Sequence, residues 1–219
     1  MAPLIRVAWV RWEAVEPASW ERLRGFSIEW EQETALGMAD PVRAAAWLGG
    51  RGLLRWLVVE TLGLSIAQTQ SALRWSPAGR PFVDGHPDVG VSLSRADGLA
   101  LAAVCSRGSI GVDVESIYRF AGDRRDAREW CLREAWCKAS GVGLDCLETA
   151  RWETAGDVQE GLVPVDVLET PGSVDNRGVG SWQWTELALP DRWVAVLVHP
   201  ADSPVTVEAV EGCFGTIAP

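Results

Sequence analysis

Lysine occurs once in this chain, at position 138, against 19 arginines. An ammonium is a compact, strongly hydrated point charge with three donors, whereas guanidinium is a planar fork. A site that needs the first shape does not simply accept the second. Lys138 closes the segment Trp130-Cys131-Leu132-Arg133-Glu134-Ala135-Trp136-Cys137-Lys138, in which Glu134 and Lys138 stand four residues apart and share one helix face. Upstream lies Gly111-Val112-Asp113-Val114-Glu115. The two-residue period of a strand turns Ile110, Val112 and Val114 to one side and Asp113 and Glu115 to the other. Two carboxylates side by side repel and need a cation or water. Taken alone, the strand reads as an ordinary half-exposed edge, and Glu134–Lys138 as a surface pair worth roughly a few tenths of a kcal/mol. Taken together, three carboxylates and one lysine describe a hard-cation site. Magnesium takes oxygen ligands in an octahedron and keeps positions for water and substrate phosphates, so the chemistry indicated is that of a magnesium–pyrophosphate site.

The elements that must position these groups follow from the pattern. Asp126, with Glu129 three residues on, reads as the N-cap of a helix over 126–140 that stops at Gly141. Leu132, Ala135, Trp136 and Ala139 supply its buried stripe. Residues 4–13 alternate as a strand, and 17–36 are weakly helical. Residues 41–63 form a strong helix capped at Asp40 and Gly63. The stretch 76–90 is rich in Pro and Gly turns. Strands follow over 90–94, 98–105 and 109–115. An irregular strand-and-loop region is expected over 147–180, its 155–180 part a loop rich in Gly, Asp and Pro. A hairpin then pairs 181–189 with 193–199 across Pro190-Asp191-Arg192. Strands and helices in this arrangement indicate an α+β fold.

With these elements in place, the residues resemble a family. Gly-Val-Asp-Val-Glu followed by Trp-Cys-Leu-Arg-Glu-Ala-Trp-Cys-Lys is similar to the signature of the 4'-phosphopantetheinyl transferases, Gly-Ile-Asp-x-Glu and then Trp-x-x-Lys-Glu-Ala-x-x-Lys. Arg43 to Arg55 resembles that family's arginine-bearing helix, Gly79-Arg80-Pro81 its Gly-Lys-Pro turn, and Val91-Ser92-Leu93-Ser94 the strand leading into its Ser-His-Ser. These elements come in family order from about residue 40 to 145. The resemblance is to the larger, surfactin-synthetase-type branch. It implies two similar α+β halves related by a pseudo-twofold: residues 1–108 contacting coenzyme A phosphates, and 109–219 carrying magnesium and the catalytic carboxylates. No sequence repeat shows this division.

The implied activity is magnesium-dependent transfer of the 4'-phosphopantetheine arm from coenzyme A to a serine of an acyl, aryl or peptidyl carrier protein, releasing adenosine 3',5'-bisphosphate. Such carriers serve fatty-acid, polyketide or nonribosomal-peptide synthesis. Asp113, Glu115 and Glu134 would hold magnesium. Glu134, directly or through a bound water, would be the base, and Lys138 would neutralise phosphate charge. Arg51, Arg80, Ser94 and Arg95 would bind coenzyme A, Arg51 at its 3'-phosphate. Three departures stand out. Ser94-Arg95-Ala96 replaces Ser-His-Ser, Arg133 replaces a lysine, and Glu134 follows Asp113 by only 21 positions, so the 116–129 connector is short for the branch. They motivate an alternative, a homologue that binds coenzyme A or a carrier without transfer. A magnesium-dependent hydrolase of coenzyme A or a nucleotide is a third reading.

Composition bounds the rest. The 219 residues allow a large core. Net charge −10 argues against general nucleic-acid binding and leaves an acidic carrier to a local basic patch. The 118–128 segment offers one, although its interleaved acids also let it read as a self-neutralised surface. No apolar run spans a membrane and the N-terminus lacks a signal-peptide pattern, so a cytoplasmic location is expected, and the resemblance to a branch that joins both halves in one chain implies a monomer. The five cysteines include no Cys-x-x-Cys pair, which disfavours zinc, and their odd number suggests reduced thiols. The thirteen tryptophans are expected mainly in core packing.

Overall fold

The computed structural model describes residues 3–141, 160–163, 182–190, 192–200 and 205–207, with backbone only for 160–163 and 205–207. Two four-stranded sheets and two long helices carry the architecture, an α+β fold. The first sheet has the order β10-β1-β5-β4, from β1 (Ile5–Arg11), β4 (Gly90–Ala96), β5 (Leu99–Cys105) and β10 (Val205–Val207). The second has the order β6-β9-β8-β7, from β6 (Gly111–Ser116), β7 (Glu160–Val163), β8 (Trp182–Leu187) and β9 (Trp193–Pro200). All pairings are antiparallel except β1 with β10. The two-residue period sorts the core. Ala100, Ala102 and Val104 of β5 pack with Leu53, Leu54 and Leu57 of helix α3 (Pro41–Leu62). The alternate residues Leu99, Leu101 and Ala103 meet Val112, Val114, Ala195 and Leu197 of the second sheet. On that sheet's far side, Val194, Val196 and Val198 pack with Ala135, Trp136 and Ala139 of helix α5 (Arg124–Ser140). The layers therefore run helix, sheet, sheet, helix.

Local signals explain the elements. Asp40 Oδ1 accepts from the Val42 and Arg43 amides at 2.9 and 3.2 Å, with Pro41 at the first helical position. β4 and β5 are joined by Asp97-Gly98 alone, and both residues have positive φ, +41° and +83°, as a two-residue hairpin turn of the mirror-image type requires. The hairpin expected over 181–199 forms between β8 and β9, with Leu187 opposite Ala195.

Several expectations shift. Helix α5 begins two residues early, at Arg124, because Asp123 rather than Asp126 is the cap: its Oδ1 accepts from the amides of Arg125 and Asp126 at 2.8 and 3.1 Å. The 17–36 stretch is two helices, α1 (Pro17–Gly25) and α2 (Glu29–Leu36). A short α4 (Ile66–Ala72) and a two-strand ribbon of β2 (Leu73–Trp75) and β3 (Pro81–Val83) precede β4. Strand β10 belongs to the 109–219 half in sequence but pairs with β1 in the other sheet. The loop expected over 155–180 falls outside the described residues apart from β7. Cys105 and Cys131 are free and buried, whereas Cys137 is disulfide-bonded, contrary to the reduced state expected. No helix among the described residues is long and apolar enough to cross a membrane.

Candidate active site

Asp113 and Glu115 leave β6 on the face that packs against α5, and Glu134 and Lys138 meet them from the helix. One carboxylate oxygen from each of Asp113, Glu115 and Glu134 can be chosen so that all three lie within 4.8 Å of one another. Gly111 makes this approach possible, since a Cβ there would collide with the Ala135 carbonyl. Lys138 Nζ donates to Asp113 Oδ1 at 2.5 Å, to the Val112 carbonyl at 3.3 Å and to Ser94 Oγ at 3.3 Å, and lies 3.4 Å from Glu134 Oε2. Ser94 reaches across from β4 and donates to Asp113 Oδ1 at 2.7 Å. Trp130 Nε1 donates to Glu134 Oε1 at 2.9 Å. Arg119, in the 3-10 turn Ile117–Phe120, pairs with Glu115. Asp113 is 2% exposed, and its Oδ2 is buried with no hydrogen-bond partner among the described residues.

The charges are unbalanced. Burial, then repulsion from Asp113 and Glu134 and incompletely offset by Arg119, pushes the Glu115 carboxyl from an ordinary 4.5 to about 7. Burial and Asp113 likewise raise Glu134 against the opposing pull of Lys138 and Trp130. Burial pulls Lys138 down, but Asp113 and Glu134 win and hold it above the usual lysine range, so it remains an ammonium. An orphaned buried carboxylate oxygen beside two carboxyls that resist ionising is a site short of positive charge. The oxygen-only donor set suits a hard divalent cation, and these three residues could hold one.

This has a pH signature. A carboxyl whose folded pKa exceeds its unfolded value contributes stability that is complete below pH 4.5 and lost as pH rises through about 7. In chelator, Glu115→Gln should flatten that part of the fall. Thermal melts of wild type and variant at pH 5 and 8 check this, and equal pH dependences would remove the strain assigned to Glu115.

The residues expected to hold coenzyme A divide into groups. Ser94 joins the acidic cluster just described. Arg95, next along β4, turns to the opposite sheet face, where its Cδ would be 3.2 Å from a Cβ at Gly50 of α3. The Arg95 side chain is exposed overall, and partial loss of water around its head, then the charges of Arg51 and Arg43, lower its pKa. These three guanidiniums therefore share one region. Arg80, exposed, lies against Gly141 at the C-terminal end of α5. Sequence reasoning missed Arg43 as a site residue, although it stands two helical turns before Arg51. It also missed Glu31 of α2, which is fully buried and binds both Arg51 and Arg55. No protein-family model matches this chain, and no similar protein is found among the curated ones.

Proposed function

We propose that the chain transfers 4'-phosphopantetheine from coenzyme A to a carrier-protein serine. The observation that carries this reading is the convergence of Asp113, Glu115 and Glu134 on one another where β6 crosses α5, with the sole lysine bound to Asp113 and Glu134. The serine Oγ attacks the phosphorus that bears the pantetheine arm. A new P–O bond forms, and the bond to adenosine 3',5'-bisphosphate breaks. Magnesium, when held by the three carboxylates, supplies charge neutralisation at the pyrophosphate. Glu134 takes the serine proton, directly or through a water; its raised pKa makes it a better base than an ordinary glutamate. Lys138, already anchored by Asp113 and the Val112 carbonyl, offsets phosphate charge. Arg51, Arg80 and Arg95 bind the coenzyme A phosphates, and Arg95 does so without the proton exchange of a histidine. In this reading the two layered halves are the pseudo-twofold halves of the larger branch.

The test is incubation with coenzyme A, magnesium and a panel of carrier proteins, read by intact mass. Gain of the arm supports transfer, and breakdown of coenzyme A without gain supports a hydrolase. A second reading, binding without transfer, is favoured by the cations that two of the acids already engage within the chain: Lys138 on Asp113 and Arg119 on Glu115. Absence of both mass gain and breakdown would select it.

Lys138→Arg separates a point-charge role from a surface pair. Nζ has three acceptors within 3.3 Å, an arrangement a planar fork cannot reproduce. Turnover should fall by about tenfold or more at conserved charge. Unchanged kinetics would reduce Lys138 to an ion-pair partner of Glu134.

A further inference from the structure

Glu31 is the most fully engaged carboxylate among the described residues. Its Oε1 accepts from Arg51 Nη1 at 2.8 Å and Arg55 Nη2 at 2.9 Å. Its Oε2 accepts from Arg55 Nη1 at 2.6 Å and the Ile28 amide at 3.2 Å. These four bonds use the carboxylate's whole accepting capacity. Glu31 and Arg55 are fully buried, whereas the Arg51 side chain keeps 12% exposure. Arg51 is also clamped by aromatic rings. Its Cζ lies 3.9 Å from the Trp75 ring centre, 4.3 Å from Trp47 and 5.3 Å from Trp30. Two arginines on one carboxylate leave a net positive charge, and Arg51 is its outward member. Arg43 and Arg95 have no acidic partner among the described residues and sit beside it. Arg43, Trp47, Arg51 and Arg55 follow one another at four-residue steps on α3, so they form a nearly continuous stripe.

A lone core ion pair would not need this construction. One bidentate Arg55–Glu31 pair already balances the Arg55 charge. Adding Arg51 takes a second long side chain out of solvent, costs its rotamer freedom and adds like-charge repulsion. What it achieves is a guanidinium held in one orientation, next to two unpaired ones. Fixed guanidinium forks bind phosphate more selectively than mobile ones.

We propose that Glu31 is a positioning residue: it fixes Arg51 between Trp47 and Trp75 so that Arg43, Arg51 and Arg95 form one phosphoryl-binding patch. The choice of ligand rests on the coenzyme A reading above; the patch itself rests on charge and geometry. The patch distinguishes a ligand with two separated phosphates from one with a single phosphate.

The test is calorimetric titration of the full chain with adenosine 3',5'-bisphosphate and with adenosine 5'-monophosphate at fixed salt. Wild type should prefer the bisphosphate by about tenfold or more. In Glu31→Asp the shorter arm keeps a negative charge by Arg55 but does not span both arginines, so the preference should collapse towards one. Glu31→Gln should do the same. A purely structural Glu31 would weaken both nucleotides alike and leave their ratio at the wild-type value. Equal binding of the two nucleotides by wild type overturns the proposal, as does a folded Glu31 variant that keeps the ratio. Failure of both Glu31 variants to fold, seen by circular dichroism, overturns it in favour of a stability role. The transferase reading fails separately: a nucleotide preference that collapses in the variants, with no mass gain on any carrier, removes transfer and leaves the role of Glu31 standing.

Discussion

Asp113→Ala should reduce arm transfer by at least about 10²–10³-fold, the loss typical of removing a preorganised charged group at a reacting phosphate. The residue organises two neighbours at once. Its Oδ1 holds Lys138 and Ser94, and its buried Oδ2 lacks a partner within the described chain. Without it, Lys138 keeps only Glu134, Ser94 and the Val112 carbonyl, and the candidate metal site falls to two carboxylates. Repulsion on Glu115 and Glu134 would fall as well, because Asp113 raises both. The variant should therefore remain folded while losing activity, with magnesium no longer increasing its melting temperature. The checks are single-turnover transfer by intact mass and melts with and without magnesium. Retention of more than about a tenth of wild-type activity would dissociate Asp113 from the chemistry.

Gly111→Ala should be among the most destabilising alanine substitutions at the described glycines. The added Cβ would run into the Ala135 carbonyl and the Ala139 amide, both backbone atoms of α5, and a backbone atom cannot rotate away as a side-chain end can. Overpacking of this kind costs about 1–3 kcal/mol or more. A loss of about 3 kcal/mol lowers the melting temperature of a chain this long by roughly 6–12 °C. The same shift would move α5 off β6 and part Glu134 from Asp113, so divalent-cation affinity should fall too. Gly25→Ala, where nothing lies within 4 Å of the new methyl, is the control and should melt within a few degrees of wild type. Equal melting of the two variants would mean that α5 and β6 do not approach at Gly111.

The contrast between these positions also shows what the sequence reveals. The acidic cluster was legible because its parts obey local rules: alternation puts Asp113 and Glu115 on one strand face, and a four-residue step puts Glu134 and Lys138 on one helix face. The long α3 was legible because Asp40, Pro41 and Gly63 mark its ends within a few residues. The start of α5 was misplaced because Asp123 and Asp126 both offer capping oxygens, and only the preceding 3-10 turn at Ile117–Phe120 decides between them. Glu31 was not legible at all. Its partners stand 20 and 24 residues away on another helix, and nothing in its own neighbourhood distinguishes it from Glu29 or Glu33. Ser94 looked like a neighbour of Arg95 in function, yet alternation along β4 sends the two side chains to opposite faces, one to the acids and one to the arginines.

The parallel pairing of Val205–Val207 with Ile5–Val7 makes the halves mutually dependent. Separated at the point where the first sheet gives way to β6, the leading fragment would expose β1 as a bare, largely apolar strand margin and uncover the whole intersheet core of Leu99, Leu101 and Ala103. Such margins recruit other chains. The molecule is thus poorly suited to being divided into two soluble pieces that reassemble. Any insertion between β6 and β10 has to be accommodated without letting β10 drift out of register on β1, so β10 acts as a clasp between the two sequence ends of the described fold.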